Sequence, residues 1–200
     1  MRTSTIERIT KETKIKIGLN LDGRGKCSIT TPIGMLNHLL EAFSCHGLFD
    51  VTVRAEGDLQ VDQHHLVEDI GFVLGTAFRK ALGDKKGINR SGYFVMPMDE
   101  ALAIIAVDIG GRCFLQFESE FNRRFCGDLD LDLMEDFFRA FANGGSMNFV
   151  VRIPFGRSDH HRIEAAFKGC AKAMKMACSL DGISSDTIPS TKGVIDDSDN

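Results

Sequence analysis

His64-His65-Leu66-Val67-Glu68 and His160-His161-Arg162-Ile163-Glu164 carry one pattern, two adjacent histidines followed at the third position beyond them by a glutamate. A second pair, Asn37-His38-Leu39-Leu40-Glu41-Ala42-Phe43 and Glu135-Asp136-Phe137-Phe138-Arg139-Ala140-Phe141, repeats in the same order at nearly the same offset. Two segments repeating in step indicate an internal duplication, and the periodicities around them agree. From Ser4 to Asp22 polar and apolar residues alternate through Ile15, Ile17, Leu19 and Leu21, which predicts a strand closed by the turn Asp22-Gly23-Arg24-Gly25. Met35, Leu36, Leu39, Leu40 and Phe43 then share one helical face, and this helix is expected to end near His46-Gly47. Short strands are predicted over 49–55 and 59–62, broken at Glu56-Gly57-Asp58, followed by a helix over 66–82. After Gly92 come strands around 98–108 and 112–121, a helix over 131–143, a strand over 147–154 and a helix over 162–178. The expected fold is α+β: internally duplicated ββαββα halves, each a mixed four-stranded sheet with helices on one face. The expected division is 1–91 for the first half, 92–180 for the second and 181–200 for a C-terminal arm. That arm contains the loop Thr187-Ile188-Pro189-Ser190-Thr191-Lys192-Gly193, suited to an anion, and is expected to end in disordered acidic residues.

Composition limits the function classes. Of 200 residues 43% are hydrophobic, enough for a sizeable core, and the formal charge of −4 offers no electrostatic footprint for nucleic acid or an anionic membrane. No apolar run reaches the roughly 18 residues of a membrane helix, and the polar N-terminus has no signal core, so a cytoplasmic small-molecule role is expected. The six cysteines lack CxxC spacing and are read as reduced, mostly buried thiols.

All six histidines lie in or beside the repeated segments: His38, His46, His64, His65, His160 and His161. On a helix, residues three or four apart share a face, so one histidine of each pair can join its glutamate on an ion while the adjacent one points elsewhere. Imidazole with carboxylate is a ligand set for Mn, Fe, Co, Ni or Zn. His38 adds a third imidazole to one set, and its repeat partner Asp136 offers oxygen to the other, so the two sites are expected to be chemically unequal. Arg112, following Gly110-Gly111 in an apolar region, needs a partner or a ligand anion. Asp99-Glu100 is read as either a supporting acidic pair or a helix N-terminus.

These residues resemble the imidazoleglycerol-phosphate dehydratase family over nearly the whole chain. The resemblance is carried by Lys11-Glu12-Thr13, Leu36-Asn37-His38, His46-Gly47-Leu48-Phe49-Asp50, His64-His65-Leu66-Val67-Glu68-Asp69, Gly87-Ile88-Asn89-Arg90, Met98-Asp99-Glu100-Ala101, Gly111-Arg112, His160-His161-Arg162-Ile163-Glu164, Phe167-Lys168 and Ile188-Pro189-Ser190-Thr191-Lys192-Gly193. It implies a fold like domain 2 of ribosomal protein S5. It also implies a homo-oligomer, a 24-mer built from trimers, with two manganese ions per active site between subunits, other divalent transition metals being alternatives. By the same carry-over the metal ligands are His38, His64, His65, Glu68, His160, His161 and Glu164, with Asp136 at an eighth position. Arg90, Arg112, Lys168, Ser190 and Lys192 match the phosphate-binding group, and Glu12 and His46 match substrate contacts. The implied reaction is dehydration of D-erythro-imidazoleglycerol phosphate to imidazole acetol phosphate in histidine biosynthesis.

Dehydration must remove an unactivated C–H proton and expel hydroxide, and an azole ring with metal at its nitrogens is an electron sink for that task. Catalytic roles therefore fall to Glu12, His65, Glu68 and Glu164. The chain departs from the family pattern at Gln63 and Asn37, where Asp is common, at Val150, where His is frequent, at Ala42, where Gln is frequent, and at Asp136, which is His in some relatives. A metal-binding assembly without catalysis and a metallohydrolase acting on a phosphorylated small molecule are the competing readings. The phosphate-binding set argues against the first.

Overall fold

The computed structural model describes residues 1–182 and 186–195. Strands β1 (Thr3–Ile9), β2 (Thr13–Asn20) and β3 (Cys27–Thr30) precede helix α1 (Gly34–Gly47), strand β4 (Asp50–Gly57) and helix α2 (His64–Leu82). Then come β5 (Ser91–Met98), β6 (Ala101–Asp108), β7 (Phe114–Glu118) and a two-residue pair, β8 (Phe125–Cys126) with β9 (Leu129–Asp130). A 3-10 turn over Leu131–Leu133 leads into α3 (Met134–Gly145), β10 (Asn148–Phe155) and α4 (Asp159–Cys178).

The duplication is explicit in the sheets. One has the order β1-β2-β4-β3 and the other β5-β6-β10-β7. In each, the first three strands are antiparallel and the last pair is parallel, β3 on β4 and β7 on β10. Alternation explains the faces: in β2, Ile15, Ile17 and Leu19 are buried while Lys14 and Lys16 face solvent. Helix α2 covers β1 and β2, and α4 covers β5 and β6. The other two helices cross between halves, α1 packing on α4 and α3 on α2. One continuous core results, and its centre is aromatic: Phe141 of α3 meets Phe43 of α1 and Phe78 of α2 edge to face, and Phe137 meets Phe167 of α4. Each such ring contributes about 1.5–3 kcal/mol by burial.

Three features differ from the sequence reading. Residues 4–22 form two strands rather than one, because Thr10 turns the chain: its hydroxyl accepts the N–H groups of Glu12 and Thr13. Residues 59–62 are a turn, closed by the Val61 N–H on the Asp58 carbonyl at 2.8 Å, and Asp62 delivers the chain into α2 by accepting the His64 N–H. Ser91–Met98 is a full strand, so each half runs βββαβα, with three strands before its first helix. Among the cysteines only Cys126, Cys170 and Cys178 are buried; Cys27, Cys45 and Cys113 are exposed, on an edge strand, an outer helix face and a loop. The expected disordered acidic end, 196–200, lies outside the described residues.

Candidate active site

Crossing of the helices between halves decides which residues meet. Helix α1 carries His38 to the side of α4, where His160 and Glu164 lie one turn apart. The carboxylate oxygen Oε2 of Glu164 is 3.0 Å from His160 Nε2 and 3.4 Å from His38 Nε2. One atom from each of the three residues lies within 4.8 Å of the other two, a spacing a single cation can span. Glu164 is buried, and Lys168 Nζ stands 2.8 Å from its other oxygen. Burial alone would raise the Glu164 pKa, but the hydrogen bonds from Lys168 and His38 outweigh it and hold the group below the ordinary carboxylate value.

The repeat partners form the same crossed arrangement on α2 and α3, more openly. His64 Nε2 is 3.7 Å from Glu68 Oε2, and His64 Nδ1 is 3.7 Å from Asp136 Oδ2. The closer approach of α2 to α3 comes from glycine. A Cβ on Gly71 or Gly75 would overlap the carbonyl of Phe137 or Phe141, and one on Gly144 would overlap that of Phe72.

The second histidine of each pair turns away from these clusters. His65 Nδ1 is held by Asp58 at 3.1 Å, with Glu12 4.0 Å from its Nε2. His161 Nδ1 is held by Glu100 at 2.8 Å, with Asp99 3.8 Å from its Nε2. A carboxylate on Nδ1 fixes the tautomer that donates there and leaves the Nε2 lone pair outward, the usual preparation of a metal-ligating imidazole. The Asp58 bond raises the His65 pKa, and Glu100 is pulled down to about 2, first by its bond from His161 and then by one from the Ser158 N–H. Glu12 and Glu100 occupy equivalent hairpin turns, β1–β2 and β5–β6, so Asp99-Glu100 belongs to a strand turn rather than a helix N-terminus. Of the two readings left open for Asp99-Glu100, the supporting acidic pair is the one found, with Glu100 on His161; the duplication agrees, mapping the turn before β2 onto the turn before β6. Asp58 was missed from sequence.

Arg90, Arg112, Ser190 and Lys192 converge on one cavity of about 220 Å³ with Gly110 and Thr191. Arg90, in the left-handed region at φ 68, donates from Nε to Asp108 at 2.6 Å and from a terminal nitrogen to the Pro189 carbonyl at 2.9 Å. It thus ties the 189–192 loop to β6, and the Asp108 pairing raises its pKa further. Within the chain Lys168 stands apart from this cavity, beside Glu164. His46, at the end of α1, faces Lys168 and Lys172; burial first, then those two charges, push its pKa below the ordinary value. A larger cavity of about 630 Å³ borders His160 and is lined by Arg123, Arg157 and Ser158 among others.

Two of the departures have structural reasons. The Asn37 amide accepts the Thr31 N–H and donates to the Thr31 carbonyl, both at 3.0 Å, which a carboxylate cannot do. The Gln63 amide likewise donates to the Asp128 carbonyl at 2.6 Å and accepts the Asp130 N–H at 3.0 Å. Val150 lies half-buried on β10 between Ala106 and Gln116, and nothing in the structure explains Ala42.

Among the described residues no helix is long and apolar enough to cross a membrane. The sequence model of the imidazoleglycerol-phosphate dehydratase family matches residues 31–174. The imidazoleglycerol-phosphate dehydratase of Koribacter versatilis is 51% identical across 98% of this chain and 100% of its own length. That of Clostridium botulinum is 48% identical across 97% and 98%. Among solved structures, the Staphylococcus aureus enzyme superposes with a TM-score of 0.81 at 33% identity, covering 90% of this chain and 99% of that one. The Pyrococcus furiosus enzyme, in complex with (S)-C348, gives 0.81 at 32% identity over 94% and 99%.

Proposed function

The chain belongs to the imidazoleglycerol-phosphate dehydratase family, hydro-lyases of histidine biosynthesis, and from that premise we propose that it dehydrates D-erythro-imidazoleglycerol phosphate to imidazole acetol phosphate with divalent transition metal, manganese by resemblance, at its histidine clusters. The observation that carries the metal reading is the convergence of His38 with His160 and Glu164, ligand atoms within 4.8 Å across helices from opposite halves. The donor chemistry fits: neutral imidazole and ionised carboxylate are the set such metals take. His38, His160 and Glu164 hold one ion, and His64, Glu68 and Asp136 the other. His65 and His161, turned outward with Nδ1 anchored, are the donors a neighbouring subunit receives, so the sites are completed in a homo-oligomer, with the 24-mer of the family as the expected assembly. Bound metal supplies Lewis acidity at the azole nitrogens of the substrate.

The chain's own residues do the rest. Arg112, Ser190 and Lys192 grip the phosphate, and Arg90 fixes the loop that carries two of them. Holding the phosphate at one end orients the carbons that lose proton and hydroxyl. Glu12, beside His65, is the carboxylate placed to take the C–H proton, with Glu68 and Glu164 as the alternative bases. His46 and Lys168 contact the substrate from the α1–α4 side. Residues 1–91 and 92–180 are the repeat halves and 181–200 the arm bearing the phosphate loop, and a cytoplasmic location suits a biosynthetic enzyme.

The test is to incubate metal-free protein with imidazoleglycerol phosphate, with and without Mn2+. The account expects the keto product only with metal. Release of inorganic phosphate without keto product would favour the metallohydrolase reading, and metal uptake without turnover the binding assembly.

A further inference from the structure

The link between β7 and α3 has no counterpart in the first half. There β3 reaches α1 through Thr31, Pro32 and Ile33, whereas residues 119–133 intervene before α3. This insertion folds into the β8–β9 hairpin and touches the N-terminal end of every helix. The Asp128 carboxylate accepts the Gly34 N–H at 2.6 Å and the Met35 N–H at 2.8 Å, capping α1, whose own N-cap residue Ile33 makes no side-chain bond. The Gln63 amide, just ahead of α2, is clamped to the backbone of Asp128 and Asp130. Asp159, the first residue of α4, accepts the N–H groups of Asn122 at 3.0 Å and Arg123 at 2.9 Å. Asp130, paired with Arg124, accepts the Asp132 N–H and starts the turn that becomes α3.

Helix ends need acceptors for their orphan N–H groups, and a local side chain ordinarily serves, as Ser158 does for α4. Here the loop supplies acceptors to the end of α1 and to the turn that starts α3, and it is bonded to the residue before α2 and to the first residue of α4. Each of those ends carries a candidate ligand in its first turns: His38, His64, Asp136 and His160. We propose that the 119–133 insertion is a clasp that sets the four helix ends against one another and so holds the metal donors in register, with Asp128 and Gln63 as positioning residues. The inference rests on the metal reading above. Partners that orient ligands without touching the ion are worth about 10–100-fold in metal affinity.

Mn2+ is titrated into the metal-free full chain, free ion being read by electron paramagnetic resonance, alongside thermal melting of the same samples. Asp128→Ala and Gln63→Ala should each weaken binding about tenfold or more, and Asp128→Asn, which keeps an acceptor oxygen, should restore most of it. Asp50→Ala is the matched control: it also removes a carboxylate that accepts two backbone N–H groups, those of Arg24 and Lys26. It should lower the melting temperature yet bind Mn2+ as the wild type does. If Asp128→Ala does not fold, Gln63→Ala decides. Wild-type affinity in the alanine variants, or an equal loss in Asp50→Ala, overturns the clasp. A wild-type chain that takes up no Mn2+ overturns the metal reading and the clasp with it.

Discussion

Glu100 and Asp58 show how a histidine is prepared by a carboxylate from another element or link, Glu100 across 61 residues and Asp58 across 7. Each carboxylate holds Nδ1 of the second histidine in a pair, so each decides where that ring presents Nε2. Replacing Glu100 by Ala is expected to lower Mn2+ affinity about 10–100-fold, while Glu100→Gln, still an acceptor, should lose less; equal affinities by calorimetry would refute the role. Removing Lys192 or Arg112 should raise KM with metal content intact, since both line the cavity away from the histidine clusters. The histidines and their glutamates were legible in the sequence because helical spacing is a local property. Asp58 was not, since a carboxylate in the link between β4 and α2 looks ordinary until the chain turns back on the helix start. For Glu100 the choice between its two readings waited on the strand pairing that carries the β5–β6 turn to His161. Lys168, which the resemblance groups with the phosphate ligands, stands within the chain 2.8 Å from the carboxylate of Glu164, four residues earlier on the same helix.

Contacts between elements are set by glycine and by a few charged ties. Gly75 lets α2 lie against the backbone of α3 near Phe141 and so sets His64 and Glu68 against Asp136. Gly75→Ala forces the helices apart at a cost of about 1–3 kcal/mol, to be seen as a fall of several degrees in the melting temperature together with weaker metal binding; an unchanged melt would show that the contact yields freely. The N-terminal end of β1 is tied to the end of α4 by Arg2, which pairs with Asp22 at 2.6 Å and donates to the Cys178 carbonyl. The Arg2 hydrogen bond holds the Asp22 pKa below its ordinary 3.8. Its contribution to stability is thus present above pH 3.8 and is lost as pH falls through the lowered value. In acid melts of metal-free protein, Asp22→Asn should flatten that part of the profile, and an unaltered acid limb would contradict the assignment. Helices were read from sequence nearly to their ends, because apolar stripes such as Met35, Leu36, Leu39, Leu40 and Phe43 are periodic. Strands were read less well: the Thr10 turn depends on a hydroxyl reaching back to two N–H groups, and Val61 owes its turn to Asp58, neither of which alternation reveals.

At the scale of the molecule, the duplication was legible because it repeats chemistry as well as pattern, whereas the crossing of helices between halves was not. Nothing local in Asn37–Phe43 says that α1 will pack on α4 rather than on its own neighbour α2. That crossing draws each cluster from both halves, and it makes the two unequal: imidazole from His38 on one side, carboxylate from Asp136 on the other, with the first set tighter than the second. It also leaves His65 and His161 turned away from the two clusters, which is why the proposed site draws them from a neighbouring chain. The most direct measurement is the metal content and the rate of keto-product formation in His64→Ala and His160→Ala, each purified beside the wild type. The account predicts that each variant loses bound metal and dehydration together. Either variant keeping full metal and normal turnover would contradict it.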